Sequence, residues 1–383
     1  MIYPLLACLI VLLALGLAER AARDRAIRAV PIRIHVNGTR AKSTVTRLVW
    51  SALAEAGIPS VAKTTGTAAR ILLPDRREVP VGRRGPANVR EQLALLRLAR
   101  RAGASAAVVE CMALDPFLQY VTERQMIRAT IGVITNVRLD HTEVMGADRH
   151  SIAETLANSL PSRGVLVVGP SEFTPLFERR AAEAGTRVVV AEGEEAGTAA
   201  GPAEQWLRDD VAVALAVTRE LGIDDEVARR GFEKAPSDPG AARQGRATLA
   251  HGPSDWLDAT AANDPDSLEL LLRDFAPWRP GGTGRPRILV YHHRDDRGPR
   301  LECFARHSAA LAACDHLVVS GARPPRVIWR RLAAARPADR LSFVAARDLP
   351  SWLARRQPSV LVFCGNTRGV DVPRLLEEAA TRD

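Results

Sequence analysis

Between Val30 and Lys234, short apolar runs rich in β-branched residues alternate with longer stretches in which apolar residues recur at helical spacing. The runs predict strands at Ile32–Val36, Ala106–Glu110, Ile131–Thr135, Val165–Gly169 and Arg187–Ala191, and the stretches predict helices at Ser43–Ala56, Asn88–Ala102 and Asp209–Leu221. Strands alternating with helices build a mainly parallel, doubly wound sheet. A Pro/Gly-rich break, Ala235-Pro-Ser-Asp-Pro-Gly-Ala241, precedes a second alternating series, with strands expected at Trp256–Ala259, Arg287–Tyr291, His316–Ser320, Leu341–Val344 and Val360–Phe363. The segment Arg279–Pro286, rich in Gly and Pro, reads as a surface loop. The pattern therefore predicts an α/β protein: a larger α/β domain over residues 29–236 and a smaller Rossmann-like α/β domain over 237–383.

The first 28 residues follow another rule. Ile2 to Ala18 carries no charge, and Arg20, Arg23, Arg25 and Arg28 come after it. Such a run lies at the short end of the roughly 17–25 residues that span a bilayer. Positive charge after the run places the C-terminal bulk in the cytoplasm, and the absence of a basic segment before it argues against a cleaved signal peptide. A single-pass anchor is the expectation.

Composition changes this picture in one respect. The net charge is +9, yet lysine occurs only at Lys42, Lys63 and Lys234. A basic balance carried almost wholly by arginine reflects compositional bias, and no stripe of basic residues interleaved with aromatics marks a nucleic-acid surface. Two of the rare lysines fall in or just after one loop–helix segment. The five cysteines show no C-x-x-C spacing, which gives no zinc site and a reduced compartment.

That segment is Ile34-His-Val-Asn-Gly-Thr-Arg-Ala-Lys-Ser-Thr-Val-Thr46: a strand, a Gly-containing turn, Lys then Ser/Thr, and an amphipathic helix. It has the layout of a phosphate cradle, in which Asn37, Gly38, Thr39, Arg40, Ala41, Lys42, Ser43 and Thr44 surround the phosphates of a nucleotide. Lys42 would supply a point charge and Ser43 a hydroxyl for Mg²⁺. Ala41 stands where a glycine is expected; its β-carbon is tolerated at negative φ but crowds a phosphate. Further along, Lys63 would neutralise phosphate charge, and the Thr65 hydroxyl would complete a metal shell. Glu110 ends an apolar strand, where an unpaired carboxylate is costly, and is a candidate metal ligand against a salt-bridged surface acid. Asn136, Asp140 and His141 follow the next strand as a polar cluster, with His141 able to bind a second ion or orient a substrate. In the second series, Asp258–Asp266 and Tyr291–Arg297 are polar outcrops after strands; a helix N-cap at Asp266/Ser267 and a solvated charge run are the plain alternatives.

Together, His35-Val-Asn-Gly-Thr-Arg, Lys63-Thr-Thr-Gly-Thr, Glu110-Cys-Met-Ala, Thr135-Asn-Val-Arg-Leu-Asp-His, Ala262-Asn-Asp-Pro-Asp-Ser and the Gly365-Asn turn resemble the Mur ligase superfamily, and most closely the poly-γ-glutamate synthase ligases of the CapB/PgsB type. The resemblance implies an ATP- and Mg²⁺-dependent amide ligase that activates a glutamate carboxylate as an acyl phosphate. It implies phosphate contacts from Lys42, one Mg²⁺ held by Ser43, Thr65 and Glu110, a second at His141, and catalytic parts for Asn136 and Asp140. Asn263 and Asp295 are implied near the nucleotide or the amine as the second domain closes. Implied partners are glutamate or a glutamyl polymer and small membrane-protein subunits. The chain departs from the pattern at Ala41, at Asp210 in place of an asparagine, and in having no lysine between Lys63 and Lys234, which leaves the carbamylated metal-site lysine of several Mur ligases without an equivalent. A membrane-tethered P-loop ATPase that drives polymer assembly or export is the competing reading, and another Mur-family amino-acid ligase a narrower one.

Overall fold

The computed structural model describes residues 2–66, 69–83, 85–192, 205–236, 238, 242–262, 264–279, 281–367 and 369–381. The chain forms two compact units. The first takes in Met1–Val137, Val144–Ala200 and Leu207–Ser237, and the second Asp238–Asp383 together with Arg138–Glu143 and Gly201–Trp206.

In the first unit, eight strands make one sheet among the described residues: β1 (Ile32–Asn37), β2 (Ser60–Lys63), β3 (Arg70–Leu72), β4 (Glu78–Pro80), β5 (Ala106–Glu110), β6 (Ile131–Ile134), β7 (Val165–Val168) and β8 (Arg187–Val190). Their order is β4-β3-β2-β5-β1-β6-β7-β8. The six from β2 to β8 are parallel, and β3 and β4 extend one edge as an antiparallel hairpin. The β-branched runs all form strands where the sequence places them. β2, β3 and β4 are additional. They are three or four residues long, and β3 and β4 mix charged residues and proline, so they leave little period-two signal.

Both faces of the sheet are covered. Val45, Leu48, Val49, Ala52 and Leu53 of the helix Lys42–Glu55 pack on one face with Val211 and Leu215 of the helix Gln205–Glu220. Leu95, Leu96 and Ala99 of the helix Glu91–Arg101 pack on Val61, Ala107 and Val109 on the other. Each large apolar side chain buried this way contributes roughly 1.5–3 kcal/mol. Arg47, fully buried within the first helix, makes two hydrogen bonds of 2.9 and 2.7 Å to Glu78 and ties that helix to β4.

The N-terminal helix Ile2–Arg28 is continuous, and among the described residues it is the one helix long and apolar enough to cross a membrane. Its first part is exposed, including Leu5, Leu9, Leu12 and Leu15. Its last turn is not: Ala26 and Ile27, with Val30, join the core formed by Leu95, Leu96, Ala104, Ile127 and Ala129. Asp24 pairs with Arg128 at 3.3 Å.

Beneath the first strand lies a buried charge pair. His35 Nδ1 sits 2.9 Å from Glu123 Oε2, and Glu123 Oε1 accepts from the Ala129 amide at 2.8 Å. Glu123 stands in a π-helical turn, Thr122–Ile127. Burial disfavours the imidazolium, but Cys111 and Glu123 outweigh burial and push the His35 pKa up to about 10. The folded value lies above the unfolded one, so this pair stabilises the fold fully below the ordinary histidine pKa, and its contribution is lost as pH rises towards 10. Unfolding titrations from pH 7 to 10.5 are expected to show an alkaline decline in stability that a His35→Gln/Glu123→Gln variant lacks; an unchanged decline in that variant refutes the assignment.

The second unit holds β9 (Arg243–Leu249), β10 (Gly252–Ala259), β11 (Arg287–His293), β12 (His316–Gly321), β13 (Leu341–Val344) and β14 (Val360–Cys364), in the order β13-β12-β11-β14-β10-β9. All are parallel except β9, which pairs antiparallel with β10 on the edge. Leu268, Leu301, Phe304, Ile328 and Leu332 fill one face, and Leu349, Leu353, Val372 and Leu376 the other. β9 carries Arg243, Gln244 and Arg246 and is largely exposed, which hid it from a hydrophobicity reading.

Candidate active site

Three adjacent central strands end at one place. Val36 on β1 lies in register with Glu110 on β5, and Asn37 lies beside Ile134 on β6. The loop Gly38–Ala41 leaves β1 at this carboxyl edge, where parallel α/β sheets bind ligands. Asn37 is buried; its amide donates to Gln119 Oε1 (2.8 Å) and Ser159 Oγ (2.9 Å), while its Oδ1 accepts from the Gly38 amide (2.8 Å). Gly38 has φ 128°, and a β-carbon there would lie 2.1 Å from Thr135 Oγ1. Asn136 grips the loop from the other side: its carbonyl accepts from the Thr39 amide (3.1 Å), its Oδ1 from Thr39 Oγ1 (2.8 Å) and the Arg40 amide (3.1 Å), and its Nδ2 donates to the Arg40 carbonyl (3.2 Å). Asn136 therefore shapes the cradle, and its carboxamide is engaged by loop backbone.

Lys42 opens the helix and folds back, donating to the carbonyls of Gly38 (2.6 Å) and Thr39 (3.1 Å). No side chain caps this helix terminus and its first turn holds no acid. Thr44 is half-buried in that turn. An uncapped helix N-terminus beside a lysine suits an anion.

Ala41 is the helix N-cap with φ 64° and ψ 4°. The condition under which a β-carbon is tolerated here, a negative φ, is therefore not met: the turn imposes the left-handed conformation that glycine adopts freely and other residues at a cost of about 1–2 kcal/mol. Ala41→Gly is expected to raise unfolding stability by up to about 1 kcal/mol once the extra chain entropy of glycine is set against the relieved strain. Denaturant titration tests this, and a destabilised Ala41→Gly chain counts against strain at this site.

Glu110 is 2% exposed and gathers hydroxyls. Its Oε2 accepts from Ser43 Oγ (2.8 Å) and the Thr65 amide (2.7 Å), and its Oε1 from Thr65 Oγ1 (2.6 Å). Three segments far apart in sequence thus meet around one carboxylate. The Glu110 reading as a surface salt bridge does not hold. Lys63, at the end of β2, is buried and pairs with Glu91 Oε2 at 3.1 Å, which sequence reading missed because Glu91 lies on a helix with no motif of its own. Burial lowers the Lys63 ammonium pKa against the pull of Glu91. Burial also opposes the Glu91 carboxylate, but Arg83, the Asn88 amide and Lys63 outweigh it and bring its pKa down to about 2.

Asp140 and His141 lie in the segment that groups with the second unit. His141 takes φ 47°, with Asp140 Oδ1 accepting from its amide at 3.0 Å, and its Nδ1 is 3.4 Å from Glu143 Oε1. In the second unit, Asp264 rather than Asp266 caps the following helix, accepting from the Ser267 amide at 2.8 Å. Asp258 accepts from Thr260 Oγ1 (2.6 Å) and Arg243 (3.0 Å). Asp295 is exposed in a short 3₁₀ turn after β11. Arg300 donates to the carbonyl of Gly365 (3.1 Å) and to Asn366 Oδ1 (2.5 Å), and Asn366 Nδ2 donates to the His292 carbonyl (2.8 Å), binding the Gly365-Asn turn to β11. Asn263 lies outside the described residues.

Residues 248–381 match the family described as the poly-gamma-glutamate synthase CapB C-terminal domain. Over nearly its whole length the chain is 34% identical to the PGA synthase CapB of Bacillus subtilis, covering 96% of this chain and 95% of that protein. The chain belongs to the CapB family of poly-γ-glutamate synthases. A second CapB relative, the capsule biosynthesis protein of Bacillus anthracis, is 37% identical over 80% of this chain and 66% of its own length. Beyond the CapB family, the fold is similar to MurF from Acinetobacter baumannii (TM-score 0.64, 16% identity, 97% of this chain and 80% of that one). It is also similar to a bifunctional folylpolyglutamate synthase/dihydrofolate synthase solved with Mn, AMPPNP and L-glutamate (TM-score 0.61, 18% identity, 91% and 90%). At these identities the likeness concerns fold.

Proposed function

We propose that this chain is an ATP-dependent amide ligase that forms γ-glutamyl bonds in poly-γ-glutamate synthesis. The observation that carries the reading is the Glu110 carboxylate, buried and ringed by Ser43 Oγ and Thr65 Oγ1 beside an uncapped helix terminus. One carboxylate and two hydroxyls are hard oxygen donors and fit Mg²⁺, which usually keeps several waters and shares its shell with substrate phosphate. Mg²⁺ held there would neutralise phosphate charge.

The chain's own residues supply the rest. The amides at the start of the helix Lys42–Glu55 would bind the phosphates, and Lys42 would swing from the Gly38 and Thr39 carbonyls to the terminal phosphate. Asn37, Thr39, Arg40 and Asn136 hold the loop in the shape this needs. A glutamate carboxylate oxygen attacks the γ-phosphorus and ADP leaves; the amine of a second glutamate then attacks the acyl carbon, phosphate leaves, and an amine proton passes to solvent or a basic group. Phosphoryl transfer of this kind depends on positioning and charge more than on covalent protein chemistry. We assign His141, with Asp140, to a second divalent ion, and Asp295 to the amine or nucleotide. The left-handed backbone at His141 supports a functional part for that turn, since strain of this sort collects at sites.

The exposed apolar helix Ile2–Arg28, with arginines at its C-terminal end, supports a single-pass anchor with the bulk of the chain in the cytoplasm, and small membrane proteins are the fitting partners. Purified full-length chain, with its membrane partners, is expected to release one phosphate per γ-glutamyl bond formed from ATP, Mg²⁺ and glutamate. ATP turnover that glutamate leaves unaltered would instead support an ATPase that drives assembly or export.

A further inference from the structure

We propose that the β13 edge of the second unit is a docking surface for the glutamyl polymer itself. The proposal rests on the ligase reading only for the identity of the polyanion. Residues 323–356 contain nine arginines and two acids, Asp339 and Asp348, and so carry seven of the chain's nine net positive charges. Preference for arginine over lysine explains which base appears there. It does not explain why carboxylates are missing.

The geometry concentrates these charges. β13 is the outermost strand and pairs with β12 alone. The helix Arg326–Ala334 turns Ile328 and Leu332 inward, into the cluster that includes Leu341 of β13, and leaves Arg326 and Arg330 in solvent. Arg323 lies over the Phe343 ring of β13, 5.2 Å from its centroid. Arg340 immediately precedes the strand, and Arg347 follows it, beside Asp348 at 3.7 Å. Among the described residues, Arg326, Arg330 and Arg340 have no carboxylate within ion-pair distance. Exposed arginines elsewhere commonly do, as at Arg76–Glu55, Arg149–Glu172, Arg187–Glu220 and Arg219–Asp225.

Charge that the fold leaves unneutralised along an edge sets up a field for anions. Guanidinium groups pair well with carboxylates, but a single exposed pair is worth only about 0–1 kcal/mol. Free glutamate therefore gains little at this edge. A chain with one carboxylate per residue engages several arginines at once, and its second and third contacts form at high effective concentration. The surface thus selects polymer over monomer and would keep a growing chain on the enzyme between additions.

The test is binding of labelled poly-γ-glutamate of defined length to the full chain, read by fluorescence anisotropy. A variant with Arg326→Gln, Arg330→Gln, Arg340→Gln and Arg347→Gln is expected to bind about tenfold more weakly or worse. A control of equal charge loss, with Arg77→Gln, Arg100→Gln, Arg101→Gln and Arg179→Gln, should stay within about twofold of wild type, as expected for exposed charges remote from the contact. Free glutamate should not compete. Equal losses in both variants overturn the proposal, as does wild-type affinity in the first. Tighter binding of duplex DNA or phosphatidylglycerol vesicles through the same four arginines overturns it too. Because no ATP turnover is needed, a chain that binds polymer here yet shows no glutamate-dependent turnover would sink the ligase reading and leave this surface standing.

Discussion

Glu110→Gln is expected to cut glutamate-dependent phosphate release on the order of 10²-fold or more, and to raise the Mg²⁺ concentration needed for what remains. The amide keeps the size of the carboxylate and can still accept from the Thr65 amide, so the fold should survive. It removes the negative charge that Ser43 and Thr65 contact, and it points a donor where a donor already stands. Phosphate release measured across a Mg²⁺ series, with melting temperature followed alongside, separates the effects. A variant whose turnover at saturating Mg²⁺ stays within about threefold of wild type would show that the Glu110 carboxylate does not hold the metal, since even an outer-shell ligand partner is worth about tenfold.

Gly38→Ala is expected to damage both stability and nucleotide binding. At φ 128° the added β-carbon would meet Thr135 Oγ1 at 2.1 Å and the Thr135 amide at 2.9 Å. Thr135 Oγ1 is the group that donates to the Arg40 carbonyl, so the clash would displace a hydrogen bond that holds the loop. Backbone strain and steric overlap together place the cost at about 2–4 kcal/mol. Thermal unfolding with and without ATP tests this: the variant should melt lower and gain less from the nucleotide. An unchanged melting temperature would mean that the loop can relax away from Thr135.

Much of this architecture is legible in the residues alone. The β-branched runs mark the central strands β1, β5, β6 and β7, because strands buried on both faces must be apolar along their length. Of the strands that escaped, β3, β4 and β9 lie at or next to an edge, where solvent permits Arg, Glu and Pro and the pattern dissolves, whereas β2 is buried but only four residues long and bounded by Ser60 and Lys63. The loop from Asn37 to Ser43 is visible because phosphate chemistry limits which residues fit. Its supports are not visible: Gln119, Ser159 and Glu91 reach the site from separate helices and turns, and only the folded chain brings them near. Asn136 shows the other gap. Its position after β6 marks it as near the site, but its bonds to Thr39 and Arg40 show that it shapes the loop. Ala41 was a discrepancy in a pattern, and its φ turns it into a measurable strain.

The burial of Ala26, Ile27 and Val30 has a consequence for where the chemistry happens. These residues pack at the end where β5 and β6 begin, and only a few residues separate the helix from β1. The cradle leaves the opposite end of the same strand. Six residues at about 3.3 Å each make β1 a rigid spacer of about 20 Å. With the helix in a bilayer, the site would stand off from the lipid on a fixed pedestal. ATP and glutamate would then reach it without crossing the headgroups.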